Sequence, residues 1–138
     1  MTDAVKKLLA RTSVVTGAIA IVLSPIPLAD EIVFLPVFGV MASRIGKAHG
    51  LTFGQIPWRP IASTTMAALA ARATLNLAVS YIPGVAAAAN AVSAVTITRL
   101  LGNYVDDACT NPSVARPLSV RELATRMKDA ITRRPRTA

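Results

Sequence analysis

The sequence predicts an all-α protein, and three observations support this class. Hydrophobic residues make up 53% of the chain but aromatic residues only 4%, so the apolar mass is Ala, Val, Leu and Ile, which suits close helix packing. Long apolar stretches are separated by proline-rich turns, where proline removes a backbone donor and ends a helix. Residues 24–46 also recur as residues 80–102. The recurring pairs are Ser24 and Ser80, Ile26 and Ile82, Pro27 and Pro83, and Gly46 and Gly102. We therefore expect two tandem, pseudo-repeated helical hairpins that form a four-helix bundle.

The first hairpin is predicted to run from Asp3 to about His49. Its first helix must end in the turn that contains Pro25 and Pro27, because the residue before a proline avoids the α region. Asp30 and Glu31 begin the second helix, where carboxylates satisfy free amides and complement the helix dipole. A proton-handling carboxylate pair is the alternative role for these two residues. Pro36 should kink the second helix unless the helix begins there.

The second hairpin follows a connection over residues 51–59. Its first helix is predicted from about Ile61 to Tyr81, its turn at Pro83 and Gly84, and its second helix from about Val85 to Asp107. The helical double-hairpin domain thus covers residues 1–108. Two prolines and an Asn-Pro step mark residues 109–118 as a linker.

An amphipathic helix and a basic tail are predicted over residues 119–138. Ser119 and Glu122 fit the capping box S-x-x-E. One face of this helix is apolar, with Val120, Leu123, Ala124, Met127, Ala130 and Ile131. Its basic residues are candidates for binding anionic lipid, and a solvated helix is the alternative.

Positive charge gathers at one predicted end of the bundle. Fifteen Lys and Arg residues against seven Asp and Glu residues favour an anionic partner. Every basic residue except Arg72 lies before the apolar part of the first helix, beside the central connection, or after the apolar part of the fourth helix. The resulting basic pole contains Lys6, Lys7, Arg11, Arg44, Lys47, Trp58, Arg59 and Arg99. By the positive-inside rule we expect cytoplasmic termini at the bacterial inner (cytoplasmic) membrane, with a cytoplasmic protein as the alternative.

The predicted hairpin arms are short for a membrane span. Only about a dozen residues separate Glu31 from Arg44, or roughly 18 Å of helix, whereas the hydrocarbon core of a bilayer is about 30 Å thick. Hairpins that dip into one leaflet fit this length better. Arg72 and Asn76 lie one turn apart and predict a polar interior, either a packed hydrogen-bonded core or a lumen, with an exposed face as a further alternative.

No catalytic motif, cofactor motif or metal-ligand cluster is evident, so we expect a non-enzymatic protein. His49 and Cys109 are the only histidine and the only cysteine, and they cannot build a metal site alone. Nucleic acid is disfavoured as a partner, because no recognised nucleic-acid-binding motif or stacking-aromatic cluster accompanies the basic residues.

Several short motifs between residues 14 and 108 carry a family resemblance. The segments SPIPLAD, RIGKAHG and YIPG, followed by Asn90, Ser93, Thr96 and LLGNY, resemble the YcjF-like family of small helical domains of unknown biochemical function. The resemblance implies membrane association and a link to Era-like or dynamin-like GTPases. Because the chain contains no G-x-x-x-x-G-K-[ST] motif, such a GTPase would act in trans.

Three functional hypotheses follow. The first is a membrane-associated protein that docks on or inserts into an anionic bilayer as a scaffold or GTPase partner. The second is a pore-forming or membrane-permeabilising effector in which Arg72 and Asn76 face the lumen. The third is a soluble homo-oligomeric bundle whose alanine-rich faces are buried between subunits.

Overall fold

The chain forms five α-helices in a computed structural model that describes residues 1–23, 29–79, 82 and 85–133. The helices are α1 (Asp3–Leu23), α2 (Ala29–Ala48), α3 (Trp58–Val79), α4 (Ala86–Thr110) and α5 (Val120–Thr132). Short 3-10 turns lie at Phe53–Gln55 and Pro112–Val114. No strand occurs in these described segments, so the all-α prediction is confirmed. The turn residues Pro25, Pro27, Pro83 and Gly84 lie outside the described residues.

Local signals in the sequence explain how several helices begin and end. The Thr2 hydroxyl accepts a hydrogen bond from the Val5 amide (3.3 Å) at the start of α1. Gly50 follows the end of α2 with a φ of 75°, a conformation that favours glycine. Its amide donates to the Lys47 carbonyl (2.9 Å), which satisfies an acceptor that the helix end leaves free.

Proline affected two predicted helix starts in different ways. The second helix begins at Ala29, so Asp30 and Glu31 lie in its first turn as predicted, and the alternative start at Pro36 is wrong because the helix continues through that proline. The third begins at Trp58, three positions before the predicted Ile61, and includes Pro60 in its first turn. Proline is tolerated there because first-turn amides have no acceptor within the helix.

The linker is also shorter than predicted. Helix α4 continues past Asp107 to Thr110, so residues 109 and 110 are helical rather than part of a connection. Beyond it, the chain makes one 3-10 turn and reaches the start of α5 at Val120.

The most extensive helix pairing joins α1 to α4, which run antiparallel. The Thr16 and Thr98 hydroxyls lie 2.8 Å apart, and the Asn90 side chain donates to the Ala20 carbonyl (2.8 Å). Nearer the other end of the pair, Leu9 lies against Gly102. Thus α1 packs closely on α4 along most of its length.

Gly102 is expected to be essential for this close approach. A Cβ atom built there lies 2.0 Å from Leu9 Cδ2, and Leu9 is itself buried in the core. Gly102→Ala should therefore lower the free energy of unfolding by about 1 to 3 kcal/mol. Gly39→Ala is the matched control, because a Cβ at Gly39 meets nothing within 4 Å, and it should stabilise the protein by about 0.5 to 1 kcal/mol. Urea titrations of both variants test the pair, and a stabilising Gly102→Ala would contradict the packing.

Helix α5 packs against α3 and α4 and joins the hydrophobic core. The predicted capping box is present, with the Glu122 amide donating to the Ser119 hydroxyl (3.2 Å). Leu123 and Met127 are fully buried, but Val120 and Ile131 are 43% and 47% exposed. The predicted apolar face is therefore covered only in its middle, and those covered residues are not free to contact lipid.

The described helices include none with both the length and the hydropathy needed to cross a membrane.

Candidate functional site: a buried charge cluster beneath an apolar surface

Arg72 is the centre of a buried charge cluster between α2, α3 and α4. Its side chain has no exposed surface, and its guanidinium donates to Asp30 Oδ2 at 2.7 Å and to Glu31 Oε1 at 2.8 Å. The guanidinium carbon also lies 4.7 Å from the centre of the Phe34 ring, a cation–π contact. The first turn of α2 therefore supplies two carboxylates and α3 supplies the cation.

Asn90 connects this cluster to the other helices. Its side-chain oxygen accepts hydrogen bonds from Arg72 and from Asn76 Nδ2 (2.8 Å), while its Nδ2 donates to the Ala20 carbonyl on α1 (2.8 Å). Ser93 donates to the side-chain oxygen of Asn76 (3.1 Å). Side chains on α2, α3 and α4 and a carbonyl of α1 thus form one polar network, which favours a single arrangement of the bundle.

The two acidic groups in the cluster have opposite pKa shifts. Burial raises the pKa of Glu31 to about 7, assisted by the hydrogen-bonded Asp30 carboxyl and opposed by Arg72. Burial also acts to raise the pKa of Asp30, but hydrogen bonds to Glu31, Arg72 and Asn90 and the Arg72 charge outweigh it and lower that pKa. As the pH rises, Glu31 is therefore the second of the two carboxyl groups to lose its proton. With that proton bound, the cluster consists of one anion and one cation.

Two buried polar atoms of the cluster have no hydrogen-bond partner among the described residues. They are Glu31 Oε2 and Arg72 Nε. An unsatisfied buried carboxylate oxygen disfavours the charged form of Glu31, in agreement with its raised pKa.

The surface around this cluster is apolar. Nine exposed hydrophobic residues, which we call the apolar collar, lie on α1, α2, α4 and the turn before α4. They are Val14, Ile21, Val22, Ile32, Val33, Leu35, Ile82, Val85 and Val92. From Thr12 to Leu23, from Ala29 to Ser43, and in the described residues from Pro60 to Thr98, the only charged residues are the buried Asp30 and Arg72 and the largely buried Glu31. This part of the bundle therefore presents almost no charge to its surroundings.

The predicted basic pole lies toward the opposite end, apart from Arg99, which lies midway along α4. All seven of its cations are exposed: Lys6, Lys7 and Arg11 on α1, Arg44 and Lys47 on α2, Arg59 on α3 and Arg99 on α4. Trp58 is partly buried; its indole donates to the Phe53 carbonyl (2.8 Å) and its ring lies 4.9 Å from that of Phe53. Phe53, which sequence reasoning did not select, is the more exposed aromatic of this pair.

His49 joins the basic pole to the end of α4. Its Nε2 lies 2.9 Å from Asp106 Oδ1, and the N-terminal amine lies 3.8 Å from the other carboxylate oxygen of Asp106. In the described part of the chain, no three His, Cys, Asp or Glu side chains come together as a metal site would require. His49 therefore has a structural partner, the buried Asp106 carboxylate.

Sequence reasoning selected Arg72 and Asn76 but missed what they contact. The sequence assigns Asp30 and Glu31 to the helix start, with a proton-handling pair as the alternative, but does not pair them with Arg72. Asn90 enters only through the family resemblance. A usable signal was present, because the long apolar stretches hold one basic and two acidic residues, and charges that are buried together must pair.

Comparison with known proteins gives no relative: no family model, characterised protein or solved structure matches this chain.

Proposed function

We propose that this chain is a non-enzymatic, membrane-associated helical protein that inserts its apolar collar into one leaflet of an anionic bilayer. The observation that carries the proposal is the separation of an uncharged, apolar surface from an exposed basic pole. In this orientation the termini lie on the cytoplasmic side of the bacterial inner membrane. The chain then serves as a scaffold or as the partner of a GTPase in trans.

The dimensions of the uncharged surface support insertion into a single leaflet. The segments from Thr12 to Leu23 and from Ala29 to Ser43 are about 18 and 22 Å long. One leaflet contributes about half of the roughly 30 Å hydrocarbon core. Both segments are therefore long enough to enter one leaflet and too short to cross the bilayer.

Pairing within the buried charge cluster lowers the electrostatic free-energy cost of this insertion. A lone charge inside a membrane costs about 2.5 to 3.5 kcal/mol on insertion scales, but Arg72 is paired inside the protein with Asp30 and Glu31. The raised pKa of Glu31 favours the form of the cluster with no net charge. The apolar collar can then contact lipid without exposing a charge.

The proposed architecture is the pair of pseudo-repeated hairpins, and the recurring glycines support it. Gly46 and Gly102 occupy equivalent positions 56 residues apart, and both are buried. A Cβ atom would lie 2.5 Å from Ile56 at Gly46 and 2.0 Å from Leu9 at Gly102. Each repeat thus uses its glycine to admit a neighbouring aliphatic side chain.

We prefer leaflet docking to pore formation because of Arg72. The pore hypothesis requires Arg72 and Asn76 to face a lumen, whereas a single copy encloses both in the polar network. The homo-oligomer hypothesis would cover the apolar collar with a second copy, and the experiment below separates it from docking.

Vesicle co-sedimentation tests the proposal. The protein should sediment with phosphatidylglycerol vesicles and bind phosphatidylcholine vesicles more weakly, since each Lys or Arg near an anionic surface contributes about 1 kcal/mol. Val22→Asp should weaken binding at least tenfold, because an Asp within the hydrocarbon costs about 2.5 to 3.5 kcal/mol. Val114→Asp is the matched control: Val22 is 74% exposed and Val114 75% exposed, but Val114 lies outside the apolar collar. It should bind vesicles like the unmodified protein.

Each alternative predicts a different result. A protein that stays in the supernatant and scatters light as a monodisperse oligomer in detergent-free buffer would overturn docking in favour of the oligomer. Release of an encapsulated dye at the concentrations that give binding would favour the pore. Equal losses from Val22→Asp and Val114→Asp would show that the apolar collar is not the contact surface.

A further inference from the structure

A groove runs between α1 and α2 on the side of the bundle. Its volume is about 590 Å³, within the roughly 300 to 1,000 Å³ of typical small-molecule sites. Leu8, Val15, Val37 and Val40 form apolar walls. The groove is therefore large enough for a ligand with an apolar portion.

Three cations line one end of the groove. Lys7 and Arg11 are one turn apart on α1, and Arg44 comes from α2. All three are exposed, and no carboxylate of the described residues lies within ion-pair distance of any of them. Three positive charges from two helices thus converge without a protein counter-ion.

The groove changes from charged to apolar along its length. On α1, Lys7 and Arg11 are followed one turn later by Val15. On α2, which runs the opposite way, Arg44 is preceded by Val40 and Val37. Both walls therefore become apolar in the same direction, away from the basic pole.

We propose that this groove binds one anionic phospholipid, with the phosphate between Lys7, Arg11 and Arg44 and an acyl chain along Val15, Val37 and Val40. Arginine side chains suit phosphate because their planar guanidinium donates two parallel hydrogen bonds. The inference rests on the proposed function, since leaflet docking places the cations at headgroup level and the apolar walls at acyl-chain depth.

The dimensions agree with a single lipid. About 12 Å of helix separates Arg44 from Pro36, which also lines the groove and lies at its apolar end. That length is comparable with the roughly 15 Å depth of one hydrocarbon leaflet. A free phosphate ion would leave the apolar walls unfilled.

Soluble short-chain lipids test the site without any membrane. The full chain is titrated by calorimetry with dioctanoyl phosphatidylglycerol below the concentration at which it forms micelles. We expect one lipid per chain, at least tenfold weaker binding of dioctanoyl phosphatidylcholine, and no competition from equimolar inorganic phosphate. Arg11→Gln with Arg44→Gln should weaken phosphatidylglycerol binding by roughly tenfold or more.

Two further variants keep the test specific. Arg121→Gln with Arg126→Gln removes the same charge from exposed cations of α5, outside the groove and outside the basic pole, and should leave the affinity within twofold of the unmodified protein. Val40→Trp fills the groove and should reduce binding at least tenfold; because Val40 is exposed, this change does not disturb the core. Equal losses from the two charge variants, unchanged binding by Val40→Trp, or equal affinity for the two lipids would each overturn the site.

The outcome is separable from that of the proposed function. Short-chain lipid binding without vesicle co-sedimentation would retain the groove and reject leaflet docking. Vesicle co-sedimentation that depends on Val22 but is accompanied by no short-chain lipid binding would retain docking and reject the groove.

Discussion

Replacing Arg72 with methionine is expected to lower the free energy of unfolding by about 3 to 5 kcal/mol. Methionine has a similar length but no charge, so Asp30 and Glu31 would be left buried without their cation. An uncompensated buried carboxylate costs far more than the ion pair contributes, because the desolvation penalty is no longer offset. Urea denaturation followed by circular dichroism measures the change.

Two comparisons isolate the charge from the packing. Arg59→Met changes an exposed arginine on the same helix and should alter the stability by less than about 0.5 kcal/mol. Adding Asp30→Asn and Glu31→Gln to Arg72→Met removes the stranded charges and should restore at least half of the loss. If the triple variant is no more stable than Arg72→Met alone, the cost arises from lost packing around Arg72, including its contact with Phe34, and not from the ion cluster.

The helices were predictable because their ends carry local signals. Gly50, Ser119 and Glu122 each act within one turn of the chain, and the structure places α2 and α5 accordingly. Proline was harder to interpret, because its effect depends on its position in the helix. Pro60 precedes the predicted helix start at Ile61, but it lies in the first turn of α3, where its missing amide removes no hydrogen bond.

The pairing of helices could not be predicted from the same signals. Sequence periodicity shows which residues are apolar but not which helix they meet, and the extensive packing of α1 on α4 depends on contacts such as Leu9 with Gly102. Gly102 was selected for its recurrence and not for this contact. The partial burial of α5 has the same origin, since the residues of α5 that are fully buried are Leu123 and Met127, and Ala124 is only partly buried.

The charge cluster was easier to predict than the helix pairing but harder than the helix ends. The residues that form the cluster could be identified from the sequence. Arg72 is the only charged residue between Pro60 and Thr98, and Asp30 and Glu31 are the only ones between Thr12 and Ser43. The geometry of the cluster could not be predicted, because these residues are about 40 positions apart in the chain. Asn90 was harder still to identify, since an asparagine among alanines has no property that marks it as the link between three helices.

The raised pKa of Glu31 predicts that the protein is more stable at pH 5 than at pH 8. Glu31 has a pKa of about 7 in the folded protein against 4.5 as its ordinary value, so folding favours the protonated form. The stabilisation from this proton is fully present below about pH 4.5 and is lost as the pH rises through about 7. Over this interval the free energy of unfolding should fall by up to about 3 kcal/mol. The lowered pKa of Asp30 acts in the opposite direction but below pH 4, outside the interval.

Glu31→Gln tests this assignment because it keeps the shape of the side chain and cannot lose a proton. Urea titrations at pH 5 and pH 8 should show a smaller difference in stability for this variant than for the unmodified protein. Asp107→Asn removes a carboxylate from the exposed side of α4 and should leave the difference unchanged. All other titrating groups are common to these proteins, so an unaltered pH dependence in Glu31→Gln would show that Glu31 does not hold the proton. A flattened dependence would instead support a bundle whose internal charge is neutral only when Glu31 is protonated.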